Sequence, residues 1–242
     1  MNGNDLLAGS TSEIFSGPVQ THVDALLSAV GSLDGRRVLD IGCGEGVLGR
    51  ELAQLGAEVT GVDPFVPAQD WEPQGSGRFR VLSAPAERVP LEDGSIDVAM
   101  FIFSLHHMSD VEQAMKEAHR VLAADGRLYI AEPVAAGDHN SLIATFHDEA
   151  AVREEAQRTL QRVAATLFGR HVTLAYTDRR VYPNFATFAA RMIANRRFNG
   201  YSAEAVVAPN VRTLYAEIAV RTKGIFDQPV KVDVLHVAAR KS

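Results

Sequence analysis

Asp40 and Asp63 bracket a run of glycines, Gly42, Gly44 and Gly46, and this grouping suits a chain that grips a nucleotide-like ligand. Glycine accepts the backbone angles of a tight strand-to-helix turn and, lacking a Cβ, lets a ligand lie directly on the main chain. A helix that starts at such a turn aims its unbonded N–H groups at the same point. Asp63 stands 21 positions after Gly42, close to the spacing at which an acid on the next strand accepts hydrogen bonds from ribose hydroxyls. NAD and other adenosine-bearing cofactors would be served alike. A second chemical grouping is Ser104, Leu105, His106 and His107. An imidazole titrates near neutrality and could take a proton from a substrate hydroxyl or amine, with packing as the competing role. Adjacent histidines cannot easily chelate one ion and no carboxylate cluster accompanies them, so no metal is expected.

These groups need a scaffold. Val38, Leu39 and Ile41 read as a short buried strand, and Val47, Leu48, Leu52 and Leu55 repeat at helical spacing behind the glycine turn. Glu58 to Val62 reads as the next strand, delivering Asp63 at its end. Arg78 to Leu82 is the third strand, and Ile96 to Phe103, almost unbroken in apolar residues, is a fourth covered on both faces. Ligands in open α/β sheets bind beyond the carboxyl ends of the strands, which is where both groupings fall.

The glycine pattern, D-I-G-C-G-E-G, places an acid before G-x-G-x-G and differs from the G-x-G-x-x-G of dinucleotide enzymes. Here the chain resembles the class I S-adenosylmethionine-dependent methyltransferases, whose first motif is a hydrophobic strand followed by D-x-G-x-G-x-G. Further signatures look similar in the same order: Ala86 to Leu91, Asp93 to Val98, Ser104 to Met108, Arg120 to Leu122 and Gly126 to Ile130. The resemblance covers roughly residues 36–135 and is nearest the small-molecule, ubiquinone-biosynthesis-like branch.

The resemblance implies an α/β fold with a Rossmann-like, seven-stranded, mostly parallel sheet in the order 3-2-1-4-5-7-6, the last strand antiparallel, with helices on both faces. It implies one domain over 1–242: an arm and lid helix (1–34), a cofactor-binding core (36–135), and substrate-side helices with closing strands (136–242). S-adenosylmethionine is the implied cofactor, held by Asp40, Gly42, Cys43, Gly44, Asp63, Pro64, Phe65, Pro85, Ala86, Glu87, Phe103 and Ser104. Family members commonly carry Asp-Ala where this chain has Pro85-Ala86, so the backbone contact at Ala86 survives and the side-chain contact to adenine passes to Glu87 or is lost. Adenine could stack on Phe65 or, less directly, Trp71. His106 is the candidate catalytic base. The expected activity is methyl transfer to a small organic acceptor; RNA methylation and non-catalytic cofactor binding are the alternatives. An NAD dehydrogenase would need a hydride-handling Tyr or His-acid arrangement that is not evident.

At 242 residues and 46% hydrophobic, the chain can build one full core with decorations. A net charge of −6 gives no global attraction to nucleic acid or anionic membrane. Cys43, the single cysteine, excludes an internal disulfide and reads as a small side chain fitting a crowded turn. Without a leader or an apolar run of about 18 residues, a soluble cytoplasmic monomer or homodimer is expected, with no membrane partner.

The rest of the chain supplies supporting elements. Met1 to Ser16 reads as a flexible arm, and Val19, Val23, Leu26, Leu27 and Val30 mark a helix whose His22, with Phe15, could face the pocket. Pro64 to Gly77 reads as a loop, Asp110 to Leu122 as a helix, and Arg127 to Ala131 as the fifth strand, ending at Glu132, which could bind substrate or cap a loop. Beyond Ala135 a long helix spans Asp148 to Phe168, with Val152 among its apolar positions and His147-Asp148-Glu149 as an acidic start. A strand from His171 to Tyr176, helices over Asn184 to Asn195 and Ala203 to Thr222 (broken at Pro209), and a strand from Val230 to Ala238 complete it. Six arginines between Arg170 and Arg197 face one acid, Asp178, and read as solvated helix faces before an anion site.

Overall fold

The computed structural model describes residues 17–238, the side chain of Arg197 excepted; the expected arm and Phe15 lie outside them. The chain divides into two compact units. The larger comprises His22–Glu132, Ala150–Leu174 and residues 232–238; the smaller comprises residues 17–21, Pro133–Glu149 and Ala175–Lys231.

In the larger unit, helix α1 (His22–Val30) precedes the sequence β1 (Arg37–Ile41), α2 (Val47–Gln54), β2 (Glu58–Val62), β3 (Gln69–Gln74), β4 (Gly77–Leu82) and β5 (Ile96–Ile102). A single 3₁₀ turn (Leu105–His107) leads to α3 (Val111–Val121) and β6 (Leu122–Pro133). After α5 (Ala150–Leu167) come the start of β7 (Phe168–Val181) and the end of β8 (Ile225–Val237). The sheet order is β3-β4-β2-β1-β5-β6-β8-β7. Without its outermost strand β3, that is the expected order 3-2-1-4-5-7-6.

The extra strand corrects the reading of residues 64–77 as a loop. β3 pairs antiparallel with β4 across a two-residue turn, Gln74 opposite Gly77, and Gly75 takes the positive φ (58°) such a hairpin turn requires. The sequence Q-D-W-E-P-Q lacks the β-branched alternation that announces a strand. What holds it is side-chain stacking: the guanidinium groups of Arg78 and Arg80 lie 4.2 and 4.5 Å from the Trp71 ring. Trp71 is thereby committed to the hairpin.

Parallel registry aligns the strand ends. Asp40 pairs with Gly61 on one side and Met100 on the other, and Met100 pairs with Tyr129 of β6. One face of the sheet presents Leu39, Ile41, Ala99, Phe101, Leu128 and Ile130 to α3 and α5, which contribute Ala114, Met115, Ala118, Leu160 and Val163. This period-two alternation on strands against period-3.6 stripes on helices is the core. Asp110 caps α3 by accepting from the Gln113 N–H at 2.9 Å. Two helix stripes differ from expectation. The buried face of α2 is Gly49, Leu52 and Ala53, whereas Val47 is 72% exposed and Leu55 also faces solvent; Val152 of α5 is likewise exposed. Gly49 matters because a Cβ there would lie 2.4 Å from the Phe79 ring of β4.

In the smaller unit, α4 (Gly137–Ile143), α6 (Phe185–Asn199), α7 (Ala203–Val206) and α8 (Pro209–Thr222) surround Tyr182, Phe188, Tyr215 and Phe226. Pro209 opens α8 at its first turn, where a missing N–H costs nothing, so the expected break is a boundary between two helices. Val19 does not belong to the helix assigned to it. Gln20 N–H donates to Thr177 O (3.2 Å) and Thr177 N–H to Pro18 O (2.9 Å), pairing this segment alongside β7. Of the arginine cluster, Arg179 forks onto Asp227 and Arg180 pairs with Asp178 at 2.7 Å. Among the described residues no helix is long and apolar enough to cross a membrane.

Candidate functional site

The turn between β1 and α2 is built by backbone that only glycine enters readily: φ is 75° at Gly42, 53° at Gly44 and 74° at Gly46. Gly42 N–H donates to Val62 O at 2.8 Å and Cys43 N–H to the same carbonyl at 3.3 Å, fastening the turn to the end of β2. From the β5 side, Ser104 Oγ donates to Ile41 O at 2.6 Å. A Cβ at Gly42 would come 2.6 Å from Ser104 Cβ, and one at Gly46 would come 2.3 Å from Phe79 Cζ. Gly46 begins α2 with no side-chain cap, so the first-turn N–H groups are left for a ligand.

Both acids are buried at this turn. Asp63 accepts from Gly44 N–H through Oδ2 (3.0 Å) and from Phe65 N–H through Oδ1 (2.8 Å), which fixes its carboxylate at the mouth of the glycine run. Burial, with the charge of Asp63 added, pushes the Asp40 carboxyl up to about 7. A carboxylate held this far from water favours a cationic or proton-donating ligand. Cys43 packs over Gly61, where a Cβ would come 2.6 Å from its Sγ. Burial pushes its thiol well above the usual range, and Asp40 and Asp63 add to that. The group is a spacer in the turn and a poor nucleophile.

Around the turn, Phe65 is 82% exposed directly after Asp63-Pro64, leaving an aromatic face available to a flat heterocycle. Ala86 is buried while Pro85 is exposed. Glu87, considered as a replacement adenine acceptor, is engaged elsewhere: its Oε1 accepts from Ser109 Oγ (2.7 Å) and Asp110 N–H (3.0 Å), where it steadies the start of α3. Phe103 has a positive φ of 55°, a strained conformation for a side chain with a Cβ, at the end of β5 beside Ser104. Its ring meets His22 edge-on at 5.0 Å between centroids.

His106 is buried, and its Nδ1 meets Glu132 Oε2 at the end of β6. The other Glu132 oxygen accepts from Leu105 N–H at 2.9 Å. This carboxylate therefore orients the imidazole, a pairing the sequence did not disclose because 26 residues separate the partners; a strand-end acid beside a strand-end histidine was the available signal. His107 is exposed, its ring 4.0 Å from that of His106.

This arrangement accords with what the chain is similar to. Residues 39–130 match the family described as a methyltransferase domain. A malonyl-[acyl-carrier protein] O-methyltransferase of Pseudescherichia vulneris is 30% identical over 163 residues, 64% of this chain and 64% of that protein. A ubiquinone/menaquinone biosynthesis C-methyltransferase of Geotalea uraniireducens is 30% identical over 118 residues, 41% of this chain and 46% of that one. The chain spans less than two thirds of the length of these curated relatives. In fold it is similar to the YcgJ protein of Bacillus subtilis, with a TM-score of 0.57 and 18% identity over 89% of this chain and 97% of that one. The family implies S-adenosylmethionine as cofactor, and the glycine turn with its two buried acids fits that group. Residues 39–130, which carry the glycine turn and both acids, thus match a methyltransferase domain.

Proposed function

We propose that the chain transfers a methyl group from S-adenosylmethionine to a small organic acceptor. The observation that carries this reading is the turn 42–46, closed to any Cβ at Gly42 and Gly46 and flanked by the buried carboxyls of Asp40 and Asp63. Asp63 is oriented by two backbone N–H groups to accept from ribose hydroxyls. Asp40, as a carboxyl starved of water, binds an ammonium group. The uncapped N–H groups of α2 would receive its carboxylate, and the exposed ring of Phe65 would offer a face to its adenine. When bound, S-adenosylmethionine supplies a methyl that is already electrophilic, so the protein's work is alignment and exclusion of water.

His106 is the side chain we assign as base where the acceptor carries a proton. Glu132 holds its Nδ1, the arrangement that sets a tautomer and orients an imidazole for proton transfer. Similar proteins are named for methyl transfer to oxygen and to carbon alike. The test is methyl transfer from labelled S-adenosylmethionine into fractionated metabolite pools, with S-adenosylhomocysteine released in step. Label entering the RNA fraction alone, or no release with any fraction, would reject the proposal.

A further inference from the structure

Arg50 lies in the first turn of α2, where a cation opposes the positive end of the helix dipole. Its guanidinium nevertheless makes three directed bonds. Nε donates to Glu72 Oε1 at 2.5 Å and Nη2 to Gln69 Oε1 at 2.9 Å, both on β3. Nη1 donates to the Glu45 carbonyl, inside the glycine turn, at 2.6 Å. The flat face of the group lies 4.7 Å from the centre of the Phe79 ring, the ring that excludes any side chain at Gly46 and Gly49. A residue that breaks a local rule yet satisfies so many partners points to a site being held.

The first half of the turn has its own fastenings: Gly42 and Cys43 to Val62, and Ile41 to Ser104. The Glu45–Gly46 half is tied by Arg50 to β3 of the β3–β4 hairpin, the strand absent from the expected sheet. We propose that Arg50 is a positioning residue that sets the second half of the cofactor turn against this hairpin, and with it the affinity for the methyl donor. The inference rests on reading the turn as the donor site. Lysine cannot substitute fully, because a single ammonium does not reproduce the planar fork that spans three acceptors.

The test combines calorimetric titration with S-adenosylmethionine and amide hydrogen exchange on the full chain, for wild type, Arg50→Met, Arg50→Lys and Glu72→Gln. Loss of charge-assisted bonds of this kind should raise Kd about tenfold in Arg50→Met, with Arg50→Lys intermediate and Glu72→Gln raised about threefold. Exchange should quicken across residues 42–49 and stay unchanged in β5 and β6. A Kd within about twofold of wild type in folded Arg50→Met overturns the proposal. So does exchange that is unaltered, or that quickens evenly over the chain as general destabilisation requires. Should Arg50→Met not fold, Glu72→Gln at the exposed end of the tie decides: a raised Kd supports the proposal and an unchanged one overturns it. If wild type takes up no S-adenosylmethionine, the proposed function falls, and the exchange pattern still reads Arg50 on its own.

Discussion

Replacing Asp40 by Asn should make the donor-free protein more stable while weakening its grip on S-adenosylmethionine. Burial and the nearby Asp63 raise this carboxyl from 3.8 to about 7, a displacement of about 3 units, and each unit corresponds to about 1.36 kcal/mol. The folded state thus favours the protonated form. Its contribution is most favourable below pH 4, where Asp40 is protonated in folded and unfolded chains alike, and it declines as pH rises from about 4 to about 7, levelling off above that. At pH 8 an ionised Asp40 costs the fold up to about 4 kcal/mol, which asparagine, neutral and nearly the same shape, does not incur. Imperfect hydrogen bonding of the new amide takes part of this back, so a gain of about 2 to 4 kcal/mol is expected at pH 8. Urea unfolding at pH 8, 6 and 4.5 reads the gain directly, and it should shrink at each step down. An Asn variant no more stable than wild type at pH 8, or a gain independent of pH, would refute the assignment of a strained buried charge. Titration of the same variant with donor should show affinity lowered at least about tenfold, because a charge-assisted bond is worth about 1.5 to 3 kcal/mol.

Asp63→Ala should weaken donor binding by about 1.5 to 3 kcal/mol, measured by calorimetry, through loss of charge-assisted bonds. Gly42→Ala adds a Cβ 2.6 Å from Ser104 Cβ at a φ of 75°; it should abolish detectable donor binding and lower stability by about 1 to 3 kcal/mol, seen in denaturant unfolding. Cys43 should resist iodoacetamide at pH 8 in the folded protein and react readily in urea, since burial raises its thiol; mass spectrometry showing fast alkylation of native protein would contradict the packing described.

Much of the larger unit was legible because strand alternation, glycine spacing and strand-end acids are local signals. β1, α2, β2 and β5 form where Val38 to Ile41, Val47 to Leu55, Glu58 to Val62 and Ile96 to Phe103 indicate. Strand order followed from the family resemblance, not from periodicity. The hairpin strand β3 was hidden because its support, Trp71 between Arg78 and Arg80, is tertiary, and because Gly75 and Pro73 read equally as loop residues. The exposure of Val47 shows how a helical stripe with glycine in it shifts: Gly49 takes the buried position, and the apolar residue beside it turns out. Arg50 and Glu132 act through partners 22 and 26 residues away, distances over which no pattern in one sequence speaks.

The β1–α2 turn is where the methyl donor should bind. A crystal structure of the chain grown with S-adenosylmethionine should show the ligand over Gly42 to Gly46, its ribose hydroxyls on the Asp63 carboxylate and its ammonium nearest Asp40. Donor lodged elsewhere, or a turn left bare at saturating concentration, would contradict that placement.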